Sequence, residues 1–84
     1  MVGSSVQITR SALKHGVDPH DIRHVLTTCI VQFDLDDERT LIIGFGTAQQ
    51  PFELVVLRGD PLRVIHAMRL RRSLHRHLDN WRPR

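Results

Sequence analysis

Between Cys29 and Met68 the chain carries four runs of β-branched, aromatic and aliphatic residues, CIVQF, RTLIIGF, FELVVL and LRVIHAM. The segments between them, DLDDE, GTAQQP and RGDP, are short and rich in turn-forming residues. That brevity is the tightest constraint on the fold. Parallel neighbours need a crossover of a dozen or more residues, whereas a tight turn joins only antiparallel ones. The spacing therefore predicts a four-stranded antiparallel meander. A chain of 84 residues has room for one domain, so a single unit over residues 1–84 is expected.

Helical signals flank the strands. Residues 1–5 read as a loose tail, and VQITRSALKHG as a short helix closed by Gly16. In VDPHDIRHVLTT, Asp18 is a good N-cap, Pro19 suits the first helical position, and Ile22, Val25 and Leu26 recur at helical spacing. This predicts a second helix over Pro19–Thr28. After the last strand, Leu70, Leu74, Leu78 and Trp81 are spaced four, four and three apart, predicting a C-terminal helix over Arg69–Trp81. Its opposite face would carry Arg69, Arg72 and Arg76, with Arg71 and His75 paired along the flank. The expected class is α+β: two N-terminal helices, the meander, and a basic C-terminal helix.

Charge is unevenly distributed. From Arg63 to Arg84 there are seven arginines and one acid, Asp79, whereas acids outnumber bases from Val17 to Asp60. A solvated helix face usually mixes signs, so this end of the chain points to a polyanion or an acidic partner. Basic residues are eleven Arg to one Lys, and the guanidinium fork suits phosphate. A single Cys29 excludes an internal disulfide framework, and no apolar run nears the ~20 residues that span a bilayer. The N-terminus lacks the apolar stretch of a secretory signal, so a soluble cytoplasmic protein without membrane contact is expected.

Few motifs carry chemistry. His20 and His24 have metal-helix spacing, but no third ligand is nearby and Asp21 is explained as a helix-start residue. His75 and His77 are two apart on a helix and point in different directions. No metal and no cofactor are expected. Cys29 has no adjacent base and reads as a small buried hydrophobe. Gly44-Phe45-Gly46 lacks the lysine and helix of a phosphate loop and reads as a bend at a strand end.

The distinctive residues are a carboxylate and a histidine inside apolar strands. In FELVVL, Phe52, Leu54 and Val56 share one side, leaving Glu53 with Val55 and Leu57 on the other. In LRVIHAM, alternation puts His66 with Leu62, Val64 and Met68. A structural account pairs Glu53 with an arginine such as Arg39 or Arg63 and makes His66 a hydrogen-bonded core residue. A functional account adds Arg39 and Arg69–Arg72 and compares the set with what metal-independent RNA cleavage requires. There the 2′-OH loses a proton, the phosphate gains charge, and the leaving 5′-oxygen is protonated. With no aromatic stripe on the sheet, RNA would be held mainly through phosphate.

LKHGV before a short helix, RTLIIG, ELVVL and LRVIHAMRLRR occur in the order and spacing of the BrnT-type toxins. The stretch from Leu13 to Arg76 thus resembles that family, part of the RelE-like group of toxin–antitoxin ribonucleases. Where the family carries Ser-Ala-Arg after its last strand, this chain has His66, Ala67 and Met68, and Arg69 or Arg71 stands in for the arginine. The resemblance implies a RelE-like fold and an RNA-cleaving toxin that arrests growth. Its partners would be RNA and a cognate antitoxin packing over the basic face, with operator DNA reached only through the antitoxin. It implies catalytic roles for Arg39, Glu53, His66, Arg69 and Arg71, and RNA contacts by Lys14, Arg72 and Arg76. His15 belongs to the shared motif, yet before Gly16 it can equally be structural. The other reading is a non-catalytic module of the same fold that binds a protein or nucleic acid.

Overall fold

Val6 and Ile8, which helical spacing fits poorly, alternate as a strand does, and they form one. In the computed structural model, which describes residues 5–78, the elements run as follows. Strand β1 (Val6–Ile8) leads into a 3-10 turn (Arg10–Leu13) and helix α1 (Pro19–Thr28). Strands β2 (Val31–Asp34), β3 (Arg39–Phe45), β4 (Pro51–Leu57) and β5 (Leu62–Arg69) follow, and a second 3-10 helix spans Arg72–Leu78. The strand order is β1-β5-β4-β3-β2. Strands β2 to β5 pair antiparallel with their sequence neighbours, while β1 lies parallel to β5. The class is α+β, but the sheet is five-stranded and mixed, not a four-stranded antiparallel meander.

The helix expected over VQITRSALKHG is absent. Thr9 caps the 3-10 turn, its hydroxyl accepting from Ala12 N at 3.3 Å and donating to Val64 O at 2.8 Å. The preceding β-branched residues lie against β5, Val6 opposite Leu62 and Ile8 opposite Val64. An open strand edge distant in sequence has overridden a weak local preference. Within the expected N-terminal tail, the Ser5 carbonyl accepts from Leu62 N and residues 1–4 lie outside the described range. Gly16 takes φ +77°, as the closing position of the turn requires.

Helix α1 has the boundaries its signals predict. Asp18 caps it, accepting from His20 N at 2.7 Å, and Pro19 opens it. The helix joins the two opposite edges of the sheet and so crosses one face. Ile22 and Val25, both fully buried, pack there with Ile42, Phe52, Leu54, Val56, Val64 and Ala67. His24 Nδ1 donates to Phe45 O at 2.8 Å, which engages a nitrogen the metal spacing had drawn attention to. Cys29 is exposed at the end of α1, not a buried hydrophobe, and partial burial still pushes its thiol up, away from a reactive thiolate.

Gly44 lies within β3, paired with Phe52, and its role is packing and not a bend. A Cβ there would lie 2.9 Å from Val25 O and 3.1 Å from Thr28 Oγ1, so α1 sits almost on the strand backbone. Gly44→Ala is expected to cost about 1–3 kcal/mol, because a helix carbonyl cannot rotate away as a side chain would. A urea titration followed by circular dichroism checks this. An unchanged midpoint would show that α1 can lift off without loss.

The acidic DLDDE turn is closed around a cation of the chain itself. Arg58 donates to Asp34 Oδ1, Thr40 Oγ1 and the carbonyls of Asp36, Asp37 and Arg39. Arg39 donates to Asp36 Oδ2 at 2.8 Å. Hydrogen bonds from the Glu38 and Arg39 backbone and the Arg39 side chain hold the Asp36 carboxyl at about 2.

Candidate functional site

The face of the sheet away from α1 carries the residue that the apolar pattern explains least. Glu53 is fully buried there, opposite Met68 in β5 and Ile43 in β3. A buried carboxylate needs partners. Its chief partner is Arg71, not Arg39 or Arg63. Arg71 N donates to Oε1 at 3.0 Å, Nε lies 3.0 Å from both oxygens, and Nη2 lies 2.8 Å from Oε2. Burial pushes the Glu53 carboxyl up; the bonds and charge of Arg71, aided by His66, outweigh it and hold the group below its ordinary value. The same contacts raise Arg71 further.

His66 reaches this carboxylate through a bulge. Val56 pairs with Val64 and Val55 with His66, so Ile65 is the extra residue. The bulge reverses the alternation. Val64 stays under α1, while His66 moves to the face of Glu53 and Val55, contrary to the side that regular alternation predicts. Its Nε2 lies 3.3 Å from Glu53 Oε2. An ionised carboxylate only accepts, so Nε2 carries a proton, and in the neutral ring Nδ1 is left as an acceptor. About 30% of the His66 side chain is exposed.

The carboxylate also shapes the chain after β5. Strand pairing runs on through Arg69, opposite Phe52, and Leu70 N donates to Pro51 O at 3.0 Å. Glu53 then takes both the backbone and side chain of Arg71. An α-helix beginning at Arg69 is incompatible with those bonds, and among the described residues a short 3-10 helix, Arg72–Leu78, follows. The expected face of Arg69, Arg72 and Arg76 is therefore not formed. His75 Nε2 donates to Leu70 O, not toward Arg71. Leu70 is buried and Leu74 and Leu78 are half-buried; Trp81 lies outside the described residues.

Of the nominated catalytic residues, Glu53, His66 and Arg71 are brought together. Arg69 shares the α1 face with Phe52 and lines a groove of about 460 Å³ with His15, Asp18, Asp21, Gln50 and Met68. Arg39 is remote. It pairs with Leu57, four positions along β3 from the partner of Glu53 or roughly 13 Å away, and is bound to Asp36. Lys14, Arg72 and Arg76 are exposed, as phosphate contacts would need.

One further residue enters the cluster. The ring of His15 meets that of His66 edge to face, centroids 5.6 Å apart. The two are far apart in sequence, and only the LKHGV motif marked His15. A buried ion pair thus orients a half-exposed histidine beside an exposed one, with a groove and an arginine adjoining. Such a set can move a proton and stabilise an anion. No family model matches this chain, and no curated protein or solved structure matches it closely enough to assign a family or a function.

Proposed function

We propose that this protein is an RNA-cleaving toxin of a type II toxin–antitoxin pair, a ribonuclease that works without a metal. The observation that carries the reading is the convergence of Glu53, His66 and Arg71 from β4, β5 and the segment after it. Glu53 is a positioning residue and not the base. Four nitrogens of Arg71 and His66 occupy its oxygens, and its lowered pKa makes it a weak proton acceptor. His66 Nδ1 takes the proton from the ribose 2′-OH, and Glu53 stabilises the resulting imidazolium, as the aspartate of a Ser-His-Asp triad does. Arg71 Nη1, not engaged by Glu53, faces the charge that develops on phosphorus. Lys14, Arg69, Arg72 and Arg76 hold the flanking phosphates. A cognate antitoxin with an acidic segment would cover this basic region, and operator DNA would be bound through the antitoxin. Among the described residues no helix is long and apolar enough to cross a membrane, and RNA in the cytoplasm is the substrate this reading requires.

The saturation of Glu53 also favours a second reading, since a purely structural ion pair would look the same. In that case the surface is a non-catalytic module that binds nucleic acid or protein. One experiment separates the two. Purified protein is incubated with end-labelled RNA in EDTA, and induced expression is followed by growth. The toxin reading expects 2′,3′-cyclic phosphate and 5′-hydroxyl ends together with growth arrest. Binding without cleavage, with a log–log salt slope of roughly −3 to −4 for five phosphate contacts, would replace it with the module.

A further inference from the structure

Transesterification of RNA needs two proton transfers, and the site described above supplies a group for only one of them. The 2′-oxygen attacks phosphorus while the P–O5′ bond breaks, leaving a 2′,3′-cyclic phosphate and a 5′-alkoxide that must be protonated. His66 accounts for the proton that leaves the 2′-OH. We propose that His15 is the general acid that delivers a proton to the departing 5′-oxygen, so that two histidines act as the acid–base pair. The inference rests on the ribonuclease reading and extends it.

Geometry favours His15 over the other candidates. Reacting oxygens stand roughly 3–3.5 Å from the centre they approach, and each proton-transfer group lies within about 2.6–3.2 Å of its oxygen. Groups serving the attacking and leaving oxygens are therefore several ångströms apart, the scale of the 5.6 Å between the His15 and His66 centroids. His15 is exposed, and among the described residues its ring nitrogens carry no hydrogen bond. It is free to donate where His66, tied to Glu53, is not. Its backbone is well placed. Gly16 N donates to Leu13 O at 3.1 Å, Gly16 holds a positive φ, and the preceding 3-10 turn is pinned to β5 through Thr9. The remaining polar groups are poor acids for this step. Arg71 is bound to Glu53 and its pKa is raised, and the groove carboxylates Asp18 and Asp21 are engaged, the latter lowered by Thr47. The groove that His15 lines with Arg69 gives the strand a path past the leaving side.

The test uses an RNA oligonucleotide with one cleavable linkage, made with oxygen or with sulfur at the bridging 5′ position. A thiolate leaves without being protonated, because a thiol pKa is near 8.5 and an alcohol's is far higher. His15→Ala is expected to slow the oxygen substrate by about 10²–10⁴-fold and to cut the sulfur substrate within a few-fold of wild type. His66→Gln is expected to be slow on both. An undiminished His15→Ala defect on sulfur, or no defect on oxygen, overturns the assignment while leaving the ribonuclease intact. Wild type that cuts neither substrate overturns both. Thermal unfolding of His15→Ala should match wild type, since the residue is exposed and, among the described residues, makes no hydrogen bond through its side chain.

Discussion

Arg71→Ala is expected to lower the unfolding free energy by about 2–4 kcal/mol. Removing one partner of a buried ion pair costs about 3–5 kcal/mol, because the other charge is stranded. Here the figure is discounted. His66 keeps its bond to Glu53, and the Arg71 side chain is 55% exposed, so water can enter the space it leaves. Glu53 itself has no exposed surface. Glu53→Gln should cost less, since the released arginine is solvated where it stands. The double variant should cost less than the sum of the two, which is the signature of a coupled pair. Urea unfolding followed by circular dichroism measures all three. An Arg71→Ala midpoint within error of wild type would show that the pair is not a structural staple.

The pH dependence of that difference has a definite sign. In the native protein the Glu53 pKa is depressed below its unfolded value, so the pair stabilises fully above the unfolded carboxyl range near pH 4.3 and fades as pH falls through the folded value. Without Arg71, burial is the main influence left and favours the neutral acid. The variant is then relieved by protonation that weakens the wild type. The stability gap between them should therefore narrow as pH falls, first above the unfolded carboxyl range, where the variant protonates, and then below it, where the wild type does.

What the sequence disclosed follows from how local each signal is. Helix α1 was readable because Asp18 and Pro19 mark its start within two residues and Ile22 and Val25 mark its buried face. The segments of β3, β4 and β5 were readable because alternation and turns are also local. Strand β1 was not, since three residues become a strand only when the edge of β5, more than fifty positions later, is there to pair. The bulge in β5 has no residue signature, and it alone decides the face that His66 occupies. Leucines four apart predicted an α-helix after β5, but a carboxylate on another strand took Arg71 and fixed the chain differently. The site was legible to the same extent. Glu53 was conspicuous as an acid among apolar neighbours, and its need for an arginine followed from physics. Which arginine answered, and that His15 would lie against His66, are facts of the fold.

His66→Gln is expected to reduce RNA cleavage by about 10²–10⁴-fold, the usual contribution of a positioned acid–base group, and to relieve growth arrest accordingly. Glutamine is the informative replacement because its amide can donate to Glu53 Oε2 as Nε2 does, filling much of the same space. The buried pair then keeps its third partner and folding stability should change by less than about 1 kcal/mol. What glutamine cannot do is accept a proton in the way Nδ1 does. A fall in single-turnover rate with unchanged unfolding therefore reports chemistry and not architecture, a distinction that Arg71→Ala cannot make because it alters both. Affinity for RNA should fall only slightly, since Lys14, Arg69, Arg71, Arg72 and Arg76 remain. If the variant cleaves within a few-fold of wild type, the histidine is a structural companion of Glu53, and the proton acceptor must be sought elsewhere in the basic region.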